Sequence, residues 1–410
     1  MPRFVFALIG VTILSNISSA SEPTFLGEAL IHADDGASLD PLSISQSGTG
    51  GFYVTGSSGG DGWVVKTDAK GNVIWRYDLR AELDRSKFQS AKILGAATFQ
   101  SGNTYLCAEL PRSVGSTLPS SLLLRLDDSG HEIDRRPFSP NSESQKDGTY
   151  LNANARCLTW GSDFAFVGYE KFIASDRTQT IVDHRITFPQ DKSFYWIVVF
   201  DEDGRVKKEW RIPSDLTSLA VVGAAYVSGD TLLFSVTDNE NTNVVAIDAK
   251  SNSITKKAIA GSAEIITPDQ PNKDFQVLTI GKSSANIVHL DTKLQVQGER
   301  TIPLDRFVGS PYGLSDGSLA IFGSRVHALG ETYTTGIALL GPALDKATFV
   351  DLPRSAAPTS LDGGRIAAVT PGYKAGEFVF ARKLIQGLKA NDPSAAPTFR
   401  GAVIDFVHIN

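Results

Sequence analysis

One short pattern recurs along the chain and limits what it can fold into. It is first complete in Gly50–Leu79, GGFYVTGSSGGDGWVVKTDAKGNVIWRYDL. Gly51–Thr55 has the aromatic and β-branched composition of a strand. Gly56–Gly62 reads as a loop and Trp63–Thr67 as a second strand. Asp68–Asn72 is a tight turn in which Gly71 takes a positive φ. Val73–Leu79 is a third strand, with Val73, Trp75, Tyr77 and Leu79 on one face. The strand–turn–strand unit returns at Ser121–Arg136, Tyr195–Trp210, Asn243–Lys256 and Asn286–Gln297, and in degraded form at Gly336–Val350. An aspartate opens the turn each time except in the degraded copy: Asp68, Asp127, Asp201, Asp248 and Asp291. Such an aspartate accepts hydrogen bonds from the backbone two residues on. Recurrence at one structural place identifies these residues as turn formers rather than ligands.

Two further strands joined by a short polar turn precede each copy, as in Pro41–Ser45 followed by Phe52–Thr55, and Ala220–Val227 followed by Thr231–Val236. Each repeat is therefore four antiparallel strands in roughly 40–50 residues, the size of a propeller blade. Complete units run from about Asp40 to Leu352. Beyond them the chain offers three more strands, Arg365–Val369, Glu377–Lys383 and Phe399–His408. Ahead of them stands a lone strand, Thr24–His32, that belongs to no unit. The expectation is an all-β, seven-bladed β-propeller whose last blade is closed by the N-terminal strand, since closure leaves no open sheet edge. Its blades fall at about 40–80, 92–138, 155–213, 218–260, 264–304, 306–353 and 362–410, within a single domain over 21–410.

Gly50–Trp75 fits the pattern GGxxVxGxxxxxxxxxVxxxDxxGxVxW, and the later copies fit its second half. In this the chain resembles the bacterial exported β-propeller repeat proteins, a likeness at the level of the fold that covers most of the mature chain. The turn DAKGNVIW is also similar to quinoprotein propeller repeats, where an aromatic residue stacks between neighbouring blades; Trp75 and Trp210 are the residues here that fit that role. The adjacent cysteine pair of quinone-binding dehydrogenases is missing, so no quinone, and no other cofactor, is expected.

Met1–Ala20 reads as a secretory signal peptide. Arg3 gives a positive start, Phe4–Leu14 an apolar stretch, and Ser18-Ser19-Ala20 a small-residue cleavage site. The apolar stretch is short for a membrane span, and none follows. The expected location is periplasmic or secreted. The formal charge of −6 and the lack of a basic block argue against a nucleic-acid partner. Cys107 and Cys157 lie in two expected strands; in an oxidising compartment they either form a disulfide or remain as small buried hydrophobes.

In a blade, the turns joining the first strand to the second and the third to the fourth share one face of the disc. Here these turns are uniformly short. The connections on the other face are the ones that have grown: Ala81–Ser90, Leu110–Ser120, Phe138–Asn154, Glu170–Ser193, Ser324–Thr335 and Gln386–Pro397. Long connections in compact domains tend to carry function. The candidate binding residues on them are Tyr150, Lys171, Phe172, Arg177, His184, Arg185, Phe188, Arg325, His327 and Tyr333, a mix of cations and aromatics suited to a protein or an anionic surface. The histidines show no metal-ligand spacing. No Gly-x-Ser-x-Gly elbow occurs. Asp34-Asp35-Gly36 lacks the spacing of a calcium loop. The expectation is a monomeric, non-enzymatic exported propeller that binds a protein partner through its loop-rich face. The alternative is a hydrolase or lyase acting on a carbohydrate or lactone, with carboxylates or histidines from different blades converging at the central mouth.

Overall fold

The computed structural model describes residues 23–32, 39–79, 90–99, 102–110, 121–138, 148–174, 180–182, 185–187, 191–216, 220–238, 241–268, 275–280, 284–304, 307–326, 333–352, 366–386 and 399–409. The expected leader Met1–Ala20 and the acidic Asp34-Asp35-Gly36 lie outside them. Among the described residues there is no helix, and so none long and apolar enough to cross a membrane.

The strands form consecutive four-stranded antiparallel meanders, the blades of a propeller arrangement. β1 (Thr24–His32) stands apart in sequence. The first blade is β2 (Asp40–Gln46), β3 (Phe52–Ser58), β4 (Asp61–Thr67) and β5 (Val73–Asp78). The second is β6 (Lys92–Thr98), β7 (Thr104–Glu109), β8 (Ser121–Leu126) and β9 (Glu132–Phe138). The third contains β10 (Gly148–Trp160), β11 (Asp163–Ala174), a separate small hairpin of β12 (Thr180–Val182) and β13 (Arg185–Thr187), then β14 (Lys192–Phe200) and β15 (Val206–Pro213). There follow β16 (Val221–Ser228), β17 (Thr231–Thr237), β18 (Asn241–Asp248) and β19 (Ser253–Ala260). Next come β20 (Ser262–Pro268), β21 (Phe275–Ile280), β22 (Ala285–Leu290) and β23 (Val296–Ile302), then β24 (Phe307–Gly313), β25 (Leu319–Val326), β26 (Tyr333–Leu340) and β27 (Ala347–Asp351). β28 (Ile366–Pro371), β29 (Glu377–Gln386) and β30 (Phe399–His408) complete the chain. They join β1 in one sheet of order β1-β30-β29-β28, with Thr24 opposite His408 and His32 opposite Gly401.

Two expected details differ. Gly56–Gly62 is not a loop: β3 runs on to Ser58 and β4 starts at Asp61, leaving a two-residue turn at Gly59-Gly60. Glycine weakens a strand by itself, but here close packing demands it, since a Cβ on Gly56 would overlap the Asp40 carbonyl and the Trp63 ring. The meanders β20–β23 and β24–β27, expected as two blades, are also joined into one eight-stranded sheet through a short parallel pairing of β20 and β24.

That joint has a local cause. β2, β6, β10, β16 and β28, the first strands of the other blades, each carry a register shift against the next strand. Such bulges break the run of free N–H and C=O groups along an edge and so prevent further pairing. β20 and β24 have no shift against their neighbours, and they are the two that pair with each other.

The turn aspartates act as the sequence implies. Asp68 Oδ1 accepts from Lys70 N at 2.8 Å and Asn72 N at 2.9 Å. Asp127, Asp201 and Asp291 repeat this with the residues two and four positions on. The Asn72 side-chain amide and then the backbone bonds hold the Asp68 carboxyl below its ordinary value. Gly71 takes φ +87°, and in copies whose turns lack glycine at this place Leu294 and Asn252 take φ +57°.

The second and third strands of the blades are apolar on both faces because a neighbouring blade covers each face; β18 is buried along nearly its whole length while β19, outside it, alternates. Trp75 Nε1 donates to the Asp128 carbonyl of the next blade at 3.0 Å, and Trp210 Nε1 to Asn252 Oδ1 at 2.9 Å. These are the two tryptophans the repeat pattern singles out, and both bond the last turn of the following blade.

Candidate functional site

The elaborated connections all leave from strand ends opposite the aspartate turns. Arg177, His184, Phe188 and His327 lie outside the described residues. Of the others, Tyr150, Lys171, Phe172, Arg325 and Tyr333 sit in blade strands rather than loops, which corrects the expected extent of three connections, while Arg185 lies in the small hairpin within the third blade. β10 begins at Gly148, so the later half of Phe138–Asn154 is sheet, and Tyr150 faces Phe172 of β11 in register. Lys171 and Phe172 lie in β11, half-buried, paired on one side with β10 and on the other with β14. Arg185 is in β13 opposite Val182. Arg325 and Tyr333 are strand residues near the open end of β25 and β26, with Tyr333 opposite Val326. The physical reason is continued pairing: β10 and β11 keep their ladder from Ala153–Tyr169 out to Gly148–Ala174, well beyond the length of the neighbouring blades.

Polar contacts brace this extension. Glu170, 1% exposed, receives Arg211 at 3.4 Å, and the Arg211 guanidinium lies 4.1 Å from the centre of the Phe194 ring. Lys171 Nζ is 4.0 Å from Asp191, whose carboxylate also accepts the Ala174 N–H at 3.2 Å. Arg325 stacks over Phe349 at 4.6 Å. The structure thus gathers Tyr150, Lys171 and Phe172 on one blade end and Arg325 with Tyr333 on another.

Glu109 ends β7 on the same side as these connections and is 5% exposed; burial pushes its carboxyl up to about 7, against the opposing pull of Lys92. Cys107, two residues before it, is joined by a disulfide to Cys157 of β10, with Cα atoms 6.5 Å apart, so the bond ties the second blade to the third.

A cavity of about 780 Å³ lies among the first strands of the blades and is lined by residues of β2, β6, β10, β16, β20, β24 and β28. The lining is mostly small or hydroxylic, as in Ser43, Ser45, Ala96, Thr159 and Ser310. Among the described lining residues Arg156 is the one cation and Glu264 the one carboxylate.

Arg156 and Glu264 are placed by β16, which lies between their strands. Arg156 Nε donates to the Gly223 carbonyl at 2.9 Å. The N–H of Ala224 donates to the Glu264 carboxylate. The carbonyl of Gly223 and the N–H of Ala224 belong to one peptide unit, whose two ends point in opposite directions. That unit is free to serve both because it lies in the β16 bulge, between Val222 and Ala225. A Cβ on Gly223 would crowd Ser235 Oγ at 2.6 Å and would meet Glu264 Oε2 at an ordinary 3.4 Å. Burial raises the Glu264 carboxyl, opposed by the Arg156 charge, and burial lowers Arg156, opposed by Glu264. Neither residue is marked by a motif. The available signal was a single arginine and a single glutamate in first strands that are otherwise uncharged at their centres.

No family model matches the chain, and no curated protein matches it. Among solved structures, it is similar to the Cps50 (Swd1) β-propeller domain of Myceliophteria thermophila, at 13% identity and TM-score 0.47, covering 95% of this chain and 100% of that one. A protein of unknown function from Dyadobacter fermentans shares 12% identity at TM-score 0.46 over 95% of this chain and 99% of that one. The Dos1 propeller shares 9% identity at TM-score 0.48 over 94% and 95%. None of the three supplies a function for this chain; its propeller arrangement rests on its own strand pairing.

Proposed function

We propose that the chain is an exported, non-enzymatic seven-bladed β-propeller that binds a protein partner through its loop-rich face, in an envelope-assembly, adhesion or toxin-immunity role. The observation that carries the reading is the braced extension of β10 and β11, a strand pair that carries Lys171 and Phe172, has Tyr150 in register with Phe172, and leads into the longest connection in the chain. A rigid strand pair presents contacts at lower entropic cost than a free loop. Closure into seven blades is supported by the order in which the first strands neighbour one another, β2, β6, β10, β16, β20, β24, β28 and β2 again. Pairing of β1 with β30 supports it too. Export, to the periplasm or beyond, is supported by the leader-like Met1–Ala20 and by the disulfide, which persists in oxidising compartments.

The test is affinity capture from an envelope extract, using residues 21–410 beside a variant in which residues 175–190 are replaced by a short Gly-Ser turn. The replacement spares Glu170 and Asp191, which brace the sheet. A protein held by the first and lost by the second, with unchanged thermal unfolding, is the expected result. Equal retention by both would take residues 175–190 out of the site, and retention by neither would remove the partner.

A further inference from the structure

The structure assigns the central cavity a second role: we propose that Arg156 and Glu264 form a binding site for a free α-amino acid, its carboxylate on Arg156 and its ammonium on Glu264. This stands apart from the loop-rich face and holds whether or not that face binds a protein.

Three features point to this ligand class. The first is the disposition of charge. Both side chains are half-buried and open onto a cavity of about 780 Å³ whose other described lining residues are uncharged. A volume of this order suits a small molecule. One cation and one anion favour a ligand that carries both charges and no net charge, because a singly charged ligand would leave one buried partner opposed.

The second is spare bonding capacity. Arg156 uses Nε on Gly223. The guanidinium fork that remains matches a carboxylate in the two-bonded geometry. Glu264 takes one N–H from Ala224, and a carboxylate can accept several more donors.

The third is spacing. A single peptide unit already bridges the two side chains, offering its oxygen to Arg156 and its N–H to Glu264. The oxygen and nitrogen of a peptide unit are about 2.3 Å apart. An α-amino acid places its carboxylate oxygen and its ammonium nitrogen only slightly farther apart, because one carbon separates the two groups. It can lie alongside the Gly223–Ala224 unit and address the same two side chains in the same sense.

Isothermal titration of residues 21–410 with each free L-amino acid tests the site, with acetate, ethylamine, and the N-acetyl and carboxamide derivatives of the best binder as controls. The expected result is saturable binding of at least one amino acid, weakened about tenfold or more when either charged group of the ligand is blocked. Glu264→Gln and Arg156→Gln should each weaken it similarly while retaining the circular dichroism of the parent. Failure of every amino acid to bind overturns the proposal, as does binding of the blocked derivatives with undiminished affinity. The ligand series needs no variant, so the test stands even if a substitution prevents folding.

Discussion

Glu28 of β1 and Asp405 of β30 lie directly opposite each other, and one guanidinium, that of Arg382 in β29, serves both. Arg382 Nε is 2.6 Å from Asp405 Oδ2, and its Nη2 is 3.6 Å from Glu28 Oε2. Two like charges facing across a strand pair oppose pairing unless a cation is shared. Arg382 and Asp405 are each 3% exposed, so the arrangement has little solvent to dissipate it.

Arg382→Leu should therefore cost about 3–5 kcal/mol in chemical denaturation, the penalty of leaving a buried charge without its partner. The loss should shrink as pH falls. Burial raises the Asp405 carboxyl even with Arg382 beside it, and without Arg382 the rise is larger. A carboxyl raised on folding is tolerated at low pH and penalises the fold as pH rises through its folded value. A defect equal at about pH 5 and about pH 8 would contradict this account.

Glu109 predicts a separate pH effect. Its ordinary value is 4.5, and in the fold it is pushed up to about 7 by burial. Between these values the folded state holds a proton that the unfolded chain has lost, so stability falls as pH rises through that window and levels off above it. Glu109→Gln stays neutral throughout. Relative to the parent it should gain about 3 kcal/mol between about pH 4.5 and about pH 8. Urea unfolding at several pH values measures this, and parallel curves for the two proteins would exclude the assignment.

Trp75→Phe and Trp210→Phe each remove one inter-blade hydrogen bond and keep most of the ring. Each should cost about 1 kcal/mol beyond the lost volume, against about 3–5 kcal/mol for the alanine variants. Because the bonds join different pairs of blades, the double Trp→Phe variant should show additive losses. Thermal unfolding with a matched analysis of the double variant decides this.

Gly223→Ala should separate binding from stability. The new Cβ would meet Ser235 Oγ at 2.6 Å and Glu264 Oε2 at 3.4 Å. Only the first is close, and among the described residues Ser235 Oγ has no hydrogen-bond partner to lose. A stability cost near 1 kcal/mol is expected from the Ser235 contact, with amino-acid binding nearly unchanged because the contact to Glu264 is an ordinary one. Gly56→Ala, whose Cβ would press on the Asp40 carbonyl and the Trp63 ring, should be the more damaging of the two in a denaturant melt.

Repeats, turns and the partnerless N-terminal strand were legible in the chain because each rests on local chemistry: an aspartate and a residue of positive φ in each turn, and apolar residues alternating or continuous according to burial. The extension of β10 and β11 was not. Tyr150, Lys171 and Phe172 lie in stretches that mix polar and apolar residues without a clear strand pattern, and only the register between the two strands turns them into sheet. Arg156 and Glu264 were missed for a different reason. They belong to strands far apart in sequence, and their relationship exists only through a bulged peptide in a third strand between them. Pairing between β20 and β24 is equally invisible, since it depends on two strands that lack a bulge.

The pairing of β1 with β30 also bears on how the molecule is made. β1 emerges before every other described strand, and its partner is the last to emerge. Throughout synthesis β1 therefore presents an unpaired edge, carrying Leu26 and Leu30, which stay 55% and 38% exposed even in the finished sheet. An open apolar edge invites pairing with other chains. Glu28 and the irregular register between Phe25 and Gly27 make β1 a poor partner for any strand except one that brings Arg382 alongside. The charge that the finished sheet must neutralise is thus also what keeps its first strand waiting for the right mate.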